Sequence, residues 1–209
     1  MKNLSKLIVF YGILQATSSN NGIFSFLFGS ECPEIVDSTT WAGRRLRGES
    51  TLNTPVRYVV IHRTATPNCN KRNECSRIIR NSLNGNDNNR PSRIGGFNFL
   101  VGGDGFVYRA RGWDTEGSNA PEYNRRSVGI ALIGRFESQP PSREQVRATK
   151  RLIECGVKRG KIRRNYRLIG HLQISSTDCP GSILYDRIKE WPNWFSNDGD
   201  YGEDEDMEY

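Results

Sequence analysis

Histidine is almost missing from this chain: among 209 residues only His62 and His171 carry an imidazole. Imidazole chemistry must therefore pass through those two positions. Long apolar runs are scarce as well. The run at residues 7–14 falls well short of the roughly 20 residues that cross a bilayer, so it does not support stable membrane insertion. No internal repeat is visible, which argues against a solenoid or propeller. No zinc-finger, helix-turn-helix or RNA-binding signature occurs, so nucleic acid is not the expected partner despite a net charge of +7. Basic side chains are absent from residues 198–209, where seven acidic ones sit. Removing that −7 leaves +14 on the rest, a body that favours anionic partners.

What is present has the form of a secreted chain. Lys2 and Lys6, the apolar run at residues 7–14 and the small residues Ala16, Thr17 and Ser18 read as a signal peptide over residues 1–18. A second apolar patch at residues 23–28 allows cleavage as late as Ser30, and a short amphipathic anchor is the alternative. One domain is expected over residues 31–195, followed by an acidic, disordered tail over residues 196–209. Five cysteines leave one over after pairing, and about 15 arrangements are open. Cys69 and Cys75 lie close in a polar loop and form the natural local pair. Cys32 with Cys155 is one way to place two of the other three, and it leaves the thiol on Cys179.

Patterning predicts an α/β domain: a central mixed β-sheet flanked by helices. Residues 56–62 are a near-continuous apolar run that suits a buried strand. Residues 97–101 and 106–110 flank Asp104-Gly105 and read as a hairpin. Residues 128–134 and 166–169 are further strands. Helices are expected over residues 74–83, from a capping box at Ser142 and Gln145 to about residue 158, and over residues 181–191. Residues 31–48 read as irregular, with Trp41 as an anchor and arginines at 44, 45 and 47; residues 84–93 read as a loop.

The chemistry concentrates in residues 168–181, LIGHLQISSTDCPG, which hold His171 and Cys179. His62 ends the apolar run at residues 56–61, which places its ring at a sheet edge. Two imidazoles and one thiolate form a set that catalytic zinc sites use, with a fourth position open for water.

Several stretches carry a family resemblance: CPEIV with Trp41, VVIHRTATPNC, GGFNFLVGGDGFVYRARGW, NRRSVGIALIG, and GHLQISSTDCPG followed by LYDRIKEWPNW. In this order, over about residues 32–195, they make the chain similar to the peptidoglycan recognition proteins, animal relatives of phage-type zinc amidases. The resemblance implies an amidase-like single domain and a secreted innate-immunity role in binding bacterial peptidoglycan. It implies zinc on His62, His171 and Cys179, and hydrolysis of the amide between N-acetylmuramate and L-alanine. It also implies the disulfides Cys69–Cys75 and Cys32–Cys155.

Three positions depart from the amidase pattern. Phe97 stands where those members carry a catalytic tyrosine, Arg63 where they carry a second histidine, and Asn119 where they carry another. Thr177 falls at a second polar catalytic position. Trp113, Asp114, Thr115 and Asn119 are expected along the substrate groove, with Arg63 near it either as a fork for a carboxylate of the stem peptide or simply solvated. Asp114 and Thr115 match neither diaminopimelate-type nor lysine-type wall preference.

Overall fold

The computed structural model describes residues 32–85 and 93–196, which belong to a compact unit beginning at Cys32. The expected signal peptide, most of the loop at residues 84–93 and nearly all of the acidic tail lie outside the described residues.

Six strands form one mixed sheet in the order β1-β4-β3-β5-β2-β6. Their ranges are β1 Ile35–Val36, β2 Val56–Arg63, β3 Phe99–Val101, β4 Val107–Arg109, β5 Ser127–Leu132 and β6 Ile162–Gly170. β2, β3, β5 and β6 run parallel, and β4 turns back antiparallel on β3 as the hairpin pattern predicts. Among the described residues four α-helices join them: α1 Ser38–Trp41, α2 Arg72–Asn84, α3 Arg143–Lys158 and α4 Ser182–Ile188.

Alternation along β2 sorts its side chains between two faces. Val59 and Ile61 enter a core with Leu152 and Ile153 of α3 and Leu184 and Ile188 of α4. Tyr58 and Val60 point the other way and cluster with Ile169. On that second face, α2 covers the neighbouring strands through Ile78 and Ile79, which pack with Leu100 and Ala131. His62 continues the second-face series.

The expected helix at Ser142 forms, but its capping box is only half made. The Ser142 hydroxyl accepts the Gln145 N–H at 3.0 Å. The Gln145 side chain turns inward instead, donating Nε2–H to the Val101 carbonyl at 2.7 Å and to the Ile133 carbonyl at 3.2 Å. Two buried strand-end carbonyls are worth more to it than an exposed cap. β6 starts four residues before the expected strand, because Arg163, Arg164 and Asn165 are exposed and carry no apolar signal. Residues 32–48 are more ordered than their composition predicts: they contain β1 and α1. Trp41 is fully buried, and its indole N–H donates to the Arg109 carbonyl at 2.9 Å.

Both disulfides form as expected, Cys32–Cys155 and Cys69–Cys75, and Cys179 lies in neither. At the outer edge of β6, the carboxyl-terminal stretch adds a further pairing: Leu168 N–H donates to the Asn193 carbonyl at 2.8 Å, and Phe195 N–H to the Leu168 carbonyl at 2.9 Å.

Candidate metal centre

Parallel strands all end on one side, and side chains just past those ends converge there. His62 is the penultimate residue of β2. In the register, Ile61 lies opposite Gly170, the last residue of β6, so His171 emerges beside His62. The ring centroids of the two histidines lie 4.4 Å apart. The turn of His171 is clasped by Gln173, whose side-chain oxygen accepts the Gly170 N–H at 2.7 Å and whose Nε2–H donates to the Phe195 carbonyl at 2.9 Å.

Cys179 arrives from the loop before α4. Its Sγ lies 3.8 Å from His62 Nδ1 and accepts the Arg63 backbone N–H at 3.3 Å. The ligand atoms of His62, His171 and Cys179 all lie within 4.8 Å of one another. The two imidazoles are buried, at 1% and 7% exposure, so the polar atoms are held away from bulk water. Zinc bonds of about 2.1 Å to nitrogen and 2.3 Å to sulfur, at a tetrahedral angle, would set those atoms roughly 3.5 Å apart. The donor set fits zinc, and its atoms, within 4.8 Å of one another, would draw closer together around the ion.

Arg63 does not reach outward. Its side chain is 8% exposed and its fork is filled from within. Nη2–H donates to Asp178 at 2.8 Å, Nη1–H donates to the Arg135 carbonyl at 2.9 Å, and Nη1 also pairs with Glu137. The guanidinium thus bolts two loops to the end of β2, one of them carrying Cys179. Gly181 makes the fit possible. It has φ +95°, and a Cβ there would meet the Arg135 carbonyl at 2.8 Å and Arg63 Nη1 at 2.9 Å. Replacing Arg63 with alanine should weaken zinc binding by about 10–100-fold, as loss of groups supporting a metal ligand typically does. It should also cost roughly 1–3 kcal/mol of stability. Competition with a chromogenic chelator and thermal unfolding read the two effects. Unchanged zinc affinity would mean that the Cys179 loop holds its place without the guanidinium.

The remaining predicted positions fall in two groups. Phe97 is 4% exposed, and its ring centroid lies 5.1 Å from that of His62. The Thr177 hydroxyl accepts the Cys179 N–H at 3.2 Å, so it braces the ligand loop. Asn119 lies over Gly129, on the same face as His62: a Cβ on Gly129 would come within 2.4 Å of Asn119 Oδ1. Its Nδ2–H donates to the Gly96 carbonyl at 2.9 Å, while its buried Oδ1 has no hydrogen-bond partner.

Trp113, Asp114 and Thr115 lie elsewhere. The Trp113 ring is in the α3-side core, 4.5 Å from the Phe99 ring and against Gly156. A large apolar ring gains more from that core than from solvent contact. Asp114 pairs with Lys161 at 2.5 Å, just before the start of β6. That is the amino edge of the sheet, about 20 Å along β2 from His62. Thr115 forms an isolated bridge with Thr51. Asn98 organises this loop and carries no sequence signal. Fully buried, it donates to the Gly112 and Thr115 carbonyls at 2.8 and 2.9 Å and accepts the Gly129 N–H at 2.9 Å.

A mixed sheet whose carboxyl edge gathers two imidazoles and a thiol has the architecture of an amidase-like domain, and residues 52–182 match the model of the N-acetylmuramoyl-L-alanine amidase family (Amidase_2). The chain is 37% identical over 166 residues to Peptidoglycan-recognition protein 2 of Holotrichia diomphalia, covering 79% of this chain and 89% of the relative. It belongs to the peptidoglycan recognition protein family. Among solved structures, it matches the complex of the ectodomains of PGRP-LCa and PGRP-LCx bound to tracheal cytotoxin at 41% identity and TM-score 0.72, over 78% of this chain and 98% of that one. It also matches a tyrosine-to-phenylalanine mutant of Drosophila PGRP-LB in complex with tracheal cytotoxin, at 34% identity and TM-score 0.72, over 78% and 96%.

Proposed function

We propose that this chain binds muropeptides of bacterial peptidoglycan on the sheet face around His62, and that it is a zinc amidase slowed by Phe97. The scissile bond is the amide joining N-acetylmuramate to L-alanine. The observation that carries this reading is the convergence of His62, His171 and Cys179, with ligand atoms all within 4.8 Å of one another. The relatives solved with tracheal cytotoxin support the ligand class.

Zinc held by these three residues would supply Lewis-acid polarisation of a carbonyl and of water. The chain's own groups do the rest. Asn119, anchored by its Nδ2–H to the Gly96 carbonyl on the same sheet face as His62, shapes the wall of the groove for the stem peptide. Thr177 accepts a backbone N–H and still has its own O–H to donate toward charge growing on the scissile oxygen. Phe97 packs against His62 and orients its ring but has no proton to give. Arg63 acts through Cys179 rather than on substrate. Secretion fits two disulfides, which persist in oxidising compartments. No helix among the described residues is long and apolar enough to cross a membrane.

Phe97 also favours a second reading, a peptidoglycan receptor in which zinc only stabilises the fold. Digestion of purified peptidoglycan with the zinc-loaded protein separates the two. Slow release of stem peptide that stops on chelation is the expected result. No release by protein carrying one zinc per chain would leave the receptor. Loss of wall binding as well would remove both.

A further inference from the structure

The arginine-rich stretch at residues 44–47 plays no part in the metal centre, yet the fold gives it a definite partner. Arg45-Leu46-Arg47 lies opposite Arg109-Ala110-Arg111, where the chain leaves β4. Leu46 and Ala110 pack into the α2-side core. Their flanking arginines all line one cavity of about 370 Å³ at the amino edge of the sheet, with Gly48 and Gly112 in its wall.

The charge in this cavity is only partly offset, with Asp37 attracting both Arg109 and Arg45 and Glu49 attracting Arg111. Arg109 pairs with Asp37. Arg111 is held by neutral groups: Nε–H donates to the Gly95 carbonyl at 2.9 Å and Nη1–H to the Glu116 carbonyl at 2.7 Å. Burial pulls its pKa below the ordinary value, and the Glu49 carboxylate opposes that pull. Among the described residues, no carboxylate lies within ion-pair distance of Arg45, Arg47 or Arg111. Asp114, the acidic side chain in the lining, is engaged by Lys161. Gly48 approaches closely: a Cβ there would lie 2.8 Å from Arg111 Nη1. The two segments are therefore pressed together around like charges, an arrangement that an anion would relieve.

We propose that this cavity is a second binding site, for the phosphate group of a phosphate ester. Guanidinium forks match phosphate oxygens in pairs. The volume exceeds a single phosphate and leaves room for an organic substituent. The site lies at the opposite edge of the sheet from the metal centre, and its wall also contains Trp113, Asp114 and Thr115, which the family resemblance assigns to the substrate groove.

Calorimetric titration of the full chain at constant ionic strength tests it, with inorganic phosphate, sn-glycerol 3-phosphate, a glycerol-phosphate oligomer and acetate as probes. Phosphate probes should bind more tightly than acetate, and the amide resonances of Gly48 and Gly112 should shift on binding. Tighter binding of the oligomer per phosphate identifies a polymeric phosphodiester as the source, and tighter binding of the monoester a small metabolite. The exposed pair Arg45→Ala/Arg47→Ala should weaken phosphate binding about tenfold or more. The control pair Arg163→Ala/Arg164→Ala, on exposed positions of β6, should leave it unchanged. Equal weakening in the control would reduce the effect to overall charge and overturn the proposal, as would binding no tighter than acetate.

Discussion

Phe97→Tyr is expected to raise the rate of peptidoglycan hydrolysis by about 10²–10³, the usual value of one hydrogen bond donor aimed at a developing oxyanion. The ring already lies against His62, with centroids 5.1 Å apart, so the substitution adds a hydroxyl to a side chain already fixed by packing. Phe97 is 4% exposed, and an added buried atom can cost about 1–3 kcal/mol through overpacking. A lower melting temperature with faster turnover is therefore consistent with the argument. Zinc content should be the same in both proteins, since Phe97 contributes no ligand atom. Measuring kcat and metal stoichiometry together isolates the hydroxyl. An unchanged kcat at equal zinc would place the defect in Asn119 or Arg63, the other departures from the amidase pattern.

The largest stability effect should come from Cys32→Ala/Cys155→Ala. That bridge joins residues 123 apart in sequence, against 6 for Cys69–Cys75. Loop-closure entropy assigns about 5 kcal/mol to the long link and about 2.5 kcal/mol to the short one. The long link also holds the start of the described chain to α3, so its loss should free β1 and α1 first. Urea unfolding of both double variants gives the comparison. If the short bridge proves the more costly to remove, loop length does not govern their contributions.

The convergence of His62, His171 and Cys179 was legible because its parts sit at conspicuous places in sequence. His62 ends an apolar strand, and His171 and Cys179 lie eight residues apart. Their meeting depends on the parallel pairing of β2 with β6, which no local pattern encodes. The clamp around Arg63 was not legible. Asp178 and Arg135 are 115 and 72 residues away from it, and an exposed-looking arginine gives no hint of an internal acceptor. Trp113 holds a motif position that suggests a binding role; its ring packs in the α3-side core, and the residue also lines the cavity beside Arg111. β1 escaped notice because two residues are too few to show alternation.

The outer flank of β6 bears on how copies of the molecule meet. An unpaired sheet border is a template for strand addition by another chain. Here residues 193–195 occupy the second half of that border, and exposed Arg163 and Arg164 guard the first half. On the far border, β1 offers only two residues. Among the described residues, intermolecular sheet extension is thus disfavoured at both borders, which leaves the open end of the sheet near His62 as the surface free to meet a polymer.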